Sequence, residues 1–97
     1  MTFEDFKAEL EIKLKRVSDF ELQEYQYLPY HMGSGLLVYR IKGKIRKLSY
    51  DGREKEIEVQ ESLPHEKYSG KCTWTEKGRF YELDKCSEQV LEVITSK

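Results

Sequence analysis

No apolar run in the 97-residue chain approaches the roughly 20 residues that a membrane-spanning helix requires. The opening residues, MTFEDFKAEL, also lack the basic-then-apolar layout of a secretory leader. Together these absences set the expectation of a cytoplasmic protein with no membrane contact. Cysteine is scarce: Cys72 and Cys86 are too few for a disulfide framework and read as free thiols in a chain without a leader. His65, Cys72 and Cys86 include no close ligand pair of the kind that nucleates a zinc site, so neither a metal nor a cofactor is expected. Net charge is nearly absent as well. Seventeen Lys and Arg against 18 Asp and Glu leave −1, which excludes a global field that would draw in nucleic acid or an anionic surface.

What is present is bulky core material. Seven Tyr, four Phe and one Trp in a chain that is 38% hydrophobic separate it from disordered sequences and predict a single folded domain over residues 1–97. In TFEDFKAELEIKLKRV, residues Phe3, Phe6, Leu10, Leu14 and Val17 fall on one helical stripe, which predicts an amphipathic helix over about 2–17. Thr2 and Asp5 have the spacing of a capping box at its start. Ile12 lies opposite the stripe, exposed.

After Ser18 the period changes to two, in short segments rich in Tyr, Ile, Val and Thr closed by Gly, Pro, Asp or Ser. The expectation is an α+β protein: an N-terminal amphipathic helix packed on a curved antiparallel meander of about seven strands. Those strands are 19–27, 36–41, 44–49, 53–60, 71–75, 79–83 and 88–95. A meander gripping its helix, as in cystatin-like rolls, is the first expectation, and a partly closed barrel the second. The segments LPYHMGSGLLVYRIKGKI (28–45) and LPHEKYSGKCTWTEKGRF (63–80) share Leu, Pro, Ser, Gly, Lys and Gly in register. IEVQ (57–60) likewise echoes LEVI (91–94). The pattern suggests a duplicated three-strand unit over 28–60 and 63–95, or two hairpins using the same turn residues.

The echo assigns SEQVLEVIT to a strand, in line with its β-branched Val90, Val93, Ile94 and Thr95. It also places Gly43 and Gly78 in turns. Read as three-residue loops ending in glycine, IKG, YDG and EKG set Tyr39 opposite Ile45, Ile45 opposite Ile57, and Trp74 opposite Phe80.

Three surfaces could carry function, and no catalytic residues are assigned. Glycines in GSG free backbone N–H groups, but the segment leads into a strand rather than a helix, which argues against phosphate binding. The tyrosine-rich region of Tyr25, Tyr27, Tyr30, His31 and Met32, together with the exposed edges of the first and last strands, suits a protein partner or a homodimer. This non-catalytic interaction module is the preferred reading. The alternation Arg40, Lys42, Lys44, Arg46, with Lys47 beside it, is the nucleic-acid alternative, with tyrosines including Tyr39 and Tyr50 near enough to stack bases. It is weakened because the expected register sets Arg46 opposite Glu56 and Lys44 opposite Glu58, so that the charges cancel. The third reading is a small-ligand or enzyme pocket in the curled sheet with His31 or His65 at its mouth.

Overall fold

The computed structural model describes residues 1–62 and 74–96. They form α1 (Phe3–Val17), β1 (Phe20–Leu28), β2 (Ser34–Ile41), β3 (Lys44–Asp51), β4 (Glu56–Ser62), β5 (Thr75–Tyr81) and α2 (Ser87–Thr95). The strands pair antiparallel in chain order, so the protein is α+β, a helix followed by an antiparallel meander. No helix among the described residues is long and apolar enough to cross a membrane.

Helix α1 forms for the reasons its sequence gives. The Asp5 N–H donates to Thr2 Oγ1 and the Thr2 N–H to the Asp5 carboxylate, each at 3.1 Å, which satisfies orphan donors of the first turn. Phe3, Phe6, Leu10 and Leu14 are buried against the sheet, each contributing about 1.5–3 kcal/mol of transfer free energy. Val17, at the end of the stripe, is left exposed, and Ile12 lies on the solvent side as its position implies.

The described residues make five strands rather than seven. The expected strand 71–75 lies mostly outside them, with Thr75 alone falling in β5. The expected strand 88–95 is helix α2. Its buried residues Ser87, Val90 and Ile94 recur at helical spacing, and Val90 and Ile94 join α1 in the core, so burial overrides the β-branched preference. Lys13 of α1 fixes this contact, donating to Ser87 Oγ at 2.8 Å and ion-pairing with Glu88 at 2.7 Å. The sheet is open among the described residues, with β1 and β5 at its edges and both helices packed on one face, rather than a roll around a single helix. Where both copies of the echo are described they differ: IEVQ is strand and LEVI is helix, while Gly43 is in a turn and Gly78 in β5 opposite Val59; residues 63–73 of the second copy lie outside the described residues.

Turn geometry resets every expected register. Between β2 and β3 the loop has two residues, Lys42 (φ 52°) and Gly43 (φ 78°), both left-handed, the form whose twist suits a hairpin. Tyr39 therefore faces Arg46, not Ile45. That one-residue difference moves Arg46 onto the helix-covered face and Ile45 onto the other. Between β3 and β4 the loop spans residues 52–55, so Tyr50 faces Ile57, and Ile45 faces Ser62. Phe80 faces Ile57 instead of Trp74, and an extra residue, Lys77, bulges from β5. The face away from the helices is not wholly solvated, since Val38, Ile45 and Ser62 are buried there.

Candidate functional site

In a meander the β1–β2 and β3–β4 connections lie at the same end of the sheet, and here they are docked together. The β1–β2 loop is closed at both ends by its own backbone. The His31 N–H donates to the Leu28 carbonyl at 3.0 Å and the Ser34 N–H to the His31 carbonyl at 3.1 Å. Met32 (φ 59°) and Gly33 (φ 77°) are left-handed, a conformation that costs a non-glycine residue on the order of 1–2 kcal/mol. The neighbouring loop holds Met32 there. The Gly52 N–H donates to Ser34 Oγ at 2.9 Å, and Gly52 lies so close that a Cβ on it would sit 1.9 Å from the Met32 carbonyl oxygen. Gly52 is thus needed for close approach, not for a left-handed turn. The Asp51 carboxylate accepts from the Arg53 N–H at 2.9 Å and orders the second loop.

Tyr30, His31, Met32, Ser34, Asp51 and Arg53 line an open depression of about 520 Å³ between these loops. Tyr30 is 97% exposed and Met32 67% exposed, the largest exposures among the big apolar side chains described. Arg53 forms no ion pair among the described residues. The arrangement gathers an aromatic ring, an imidazole, a thioether, a carboxylate and a guanidinium on two mutually braced loops. Sequence reasoning named Tyr30, His31 and Met32 but missed Asp51 and Arg53. The signal is present in the sequence: YDG has turn composition, and alternate loops of a meander share an end.

The other tyrosines are placed elsewhere. Tyr25 and Tyr27 lie on the helix-covered side of β1, half-buried and packed against the core. Lys7 Nζ sits 5.0 Å from the Tyr25 ring centroid, and the Tyr25 hydroxyl has no hydrogen-bond partner among the described residues, its pKa raised by burial.

The cations of the nucleic-acid alternative do not form one stripe. Arg40 is on the face away from the helices, opposite Glu21 and Ile45. Lys42, in the turn, donates to the Thr95 carbonyl at 3.1 Å. Lys44 pairs with Glu61 at 3.2 Å. Arg46 is 1% exposed: it donates to the Val93 and Ser96 carbonyls, and its Nη2 lies 3.1 Å from Glu61. Lys47 covers the Trp74 ring at 4.3 Å. Because α2 has no basic residue in its own last turn, Lys42 and Arg46 supply the positive charge that its C-terminus favours. Glu61, rather than Glu56 or Glu58, is the acid in this group. Glu56, Glu58 and Glu76 pair instead with Arg79 on the opposite face.

The interior of the helix-covered face is filled by Phe6, Leu10, Leu37, Leu48 and Val90 among others, all buried. Cys86 is buried at the start of α2, and burial pushes its thiol up to about 11, so it is not a thiolate nucleophile at neutral pH. His65 and Cys72 lie outside the described residues. Against family models, curated proteins and solved structures, the chain has no match.

Proposed function

We propose that this chain is a non-catalytic interaction module that docks a protein partner on its paired β1–β2 and β3–β4 loops. The observation that supports this reading is the exposure of Tyr30 and Met32 on a loop whose backbone is braced at Met32 and Ser34 by Gly52. Tyr is enriched among the residues that carry interface binding energy, and Met in the buried cores of interfaces. Holding them in one conformation before binding lowers the ordering entropy that association must overcome. Asp51 and Arg53 supply a charged rim, which tunes orientation and on-rate more than affinity.

The test is site-specific photocrosslinking in the cells that make the protein, with a benzophenone side chain at position 30 or, as control, at exposed Glu92. A partner crosslinked from 30 and not from 92, and lost on adding Met32→Ala and Arg53→Ala, is the expected result. Equal labelling from both positions would remove the reading.

A further inference from the structure

The two sheet edges differ in what they offer an additional strand. On β5 the bulge at Lys77 interrupts the edge, and the cations there are engaged, Lys77 with Glu61 and Arg79 with Glu56, Glu58 and Glu76. On β1 the irregularity comes early, at Gln23, and Glu24 to Leu28 follow in unbroken register with β2. Among the described residues, the backbone of this stretch bonds only to β2 and, at Leu28, to His31. Its outer N–H and C=O groups form an open template of the kind that extended segments join.

Charge sorts the occupant. No Lys or Arg occurs between Arg16 and Arg40, and Asp19, Glu21 and Glu24 make no ion pair within the described residues. This end of the edge carries three carboxylates against one cross-strand cation, Arg40 opposite Glu21, while Glu24 faces Val38, so it is negative on balance. The other end is apolar, with Leu28 43% exposed and Tyr30 just beyond it. On the helix side Tyr25 and Tyr27 form the rim of the core, so an incoming apolar side chain beside them would extend it.

We propose that β1 accepts an extended segment of a partner protein as an added antiparallel strand along Glu24 to Leu28. The segment carries an apolar residue where it meets Leu28 and Lys or Arg where it meets Glu24 and Glu21. Backbone hydrogen bonds supply affinity, and opposite charges facing each other across the pair fix its direction. A second copy of this chain fits the edge less well, because joining two β1 strands brings Asp19, Glu21 and Glu24 of both to one seam with no cation from either strand. The proposal rests on the chain being an interaction module, but not on the Tyr30 loop being its docking point.

The probe is the labelled peptide Leu-Val-Thr-Val-Lys-Val-Lys, titrated into the full chain by fluorescence anisotropy and by amide NMR shifts. The expected result is binding that weakens with salt, with shifts centred on residues 24–28. The Glu21→Lys/Glu24→Lys variant should weaken it by roughly tenfold or more, as should replacing the peptide lysines by glutamates. N-methylation of alternate peptide amides should abolish it. If the double variant misfolds by far-UV circular dichroism, the single variant Glu24→Gln carries the same expectation at a smaller size. No shift at 24–28, equal binding of the glutamate peptide, indifference to N-methylation, or sedimentation as a dimer sealed along β1 would each overturn the proposal. A failed peptide titration alongside position-specific crosslinking at 30 would remove the edge assignment and leave the loop reading standing; the reverse pattern would do the opposite.

Discussion

Arg46 faces Glu61 directly across the β3–β4 pair, with its Nη2 3.1 Å from the Glu61 carboxylate, on the side of the sheet that the helices cover. The same guanidinium reaches the Val93 and Ser96 carbonyls, so one side chain ties the middle of the sheet to the end of α2. Arginine suits this position because its planar fork reaches several acceptors at once and stays charged where burial works to lower its pKa and Glu61 opposes that. Truncating it removes a donor from the Ser96 carbonyl and a cation from Glu61, and leaves the Val93 carbonyl to the Ser96 N–H and hydroxyl. Glu61 retains Lys44 and Lys77, so the loss falls below that of a fully isolated buried pair. Arg46→Ala should therefore destabilise the fold by about 2–4 kcal/mol in urea unfolding, with faster amide exchange at the C-terminal end of α2. Unchanged exchange there would show that the clamp is not what holds the helix end.

Glu61 contributes to the acid limb of stability. Burial works to raise its pKa, but the Lys77 and Lys44 hydrogen bonds, with the Arg46 charge, hold it below the usual 4.5. A carboxyl with a depressed native pKa binds fewer protons than its unfolded counterpart. Its contribution is therefore complete above about pH 4.5 and is lost as pH falls through the lower native value. Relative to Glu61→Gln, the native chain should show a steeper loss of unfolding free energy below pH 4.5. The two curves should converge in strong acid. Parallel curves across that window would contradict the assignment.

Tyr39 gives the opposite dependence. Its hydroxyl donates at 2.9 Å to the Glu11 carboxylate, which is partly exposed at the edge of the core, and burial, reinforced by Glu11, drives its pKa far above the ordinary 10. The native state thus holds the proton that the unfolded chain would release. The stabilisation is present below pH 10 and is lost as pH rises beyond it. Tyr39→Phe should cost about 1.5–3 kcal/mol at neutral pH, the range for hydrogen bonds to charged groups, and should flatten the alkaline limb. Chemical denaturation between pH 7 and 11 reads both effects.

The parts of the fold that were legible in the sequence are those set by local chemistry. The Thr2–Asp5 capping box and the Phe3, Phe6, Leu10, Leu14 stripe specify α1 without reference to anything else. The positions of the first four strands follow from alternation and turn residues in the same way. What could not be read was decided by pairing. Whether Lys42 and Gly43 alone, or Ile41 with them, make the loop changes no local pattern, yet it selects the face on which Arg46 lies. SEQVLEVIT carries strand propensity and helical spacing together, and only packing of Val90 and Ile94 against α1 chooses between them. At the candidate site, Tyr30, His31 and Met32 stood out by composition. Asp51 and Arg53 join them through Gly52, whose closeness to Met32 belongs to tertiary structure.

Two glycines separate conformational freedom from close approach. Gly43 is left-handed (φ 78°) with open space around its Cα, so Gly43→Ala meets only the backbone penalty, about 1 kcal/mol. Gly52→Ala would set a methyl 1.9 Å from the Met32 carbonyl oxygen, backbone against backbone, and the two loops must part to admit it. That movement breaks the Gly52 to Ser34 hydrogen bond and releases the constraint on the left-handed Met32. The expected outcome is a loss of about 1–3 kcal/mol in Gly52→Ala. It should come with large amide shifts at residues 30–34 and raised nanosecond mobility of the Tyr30 backbone, neither of which Gly43→Ala should produce. Because bracing of Tyr30 and Met32 is what supports the docking proposal, Gly52→Ala should also reduce crosslinking from position 30 without altering any side chain at the contact. Retained crosslinking in a variant whose loop has become mobile would mean that preorganisation is not part of how the surface works.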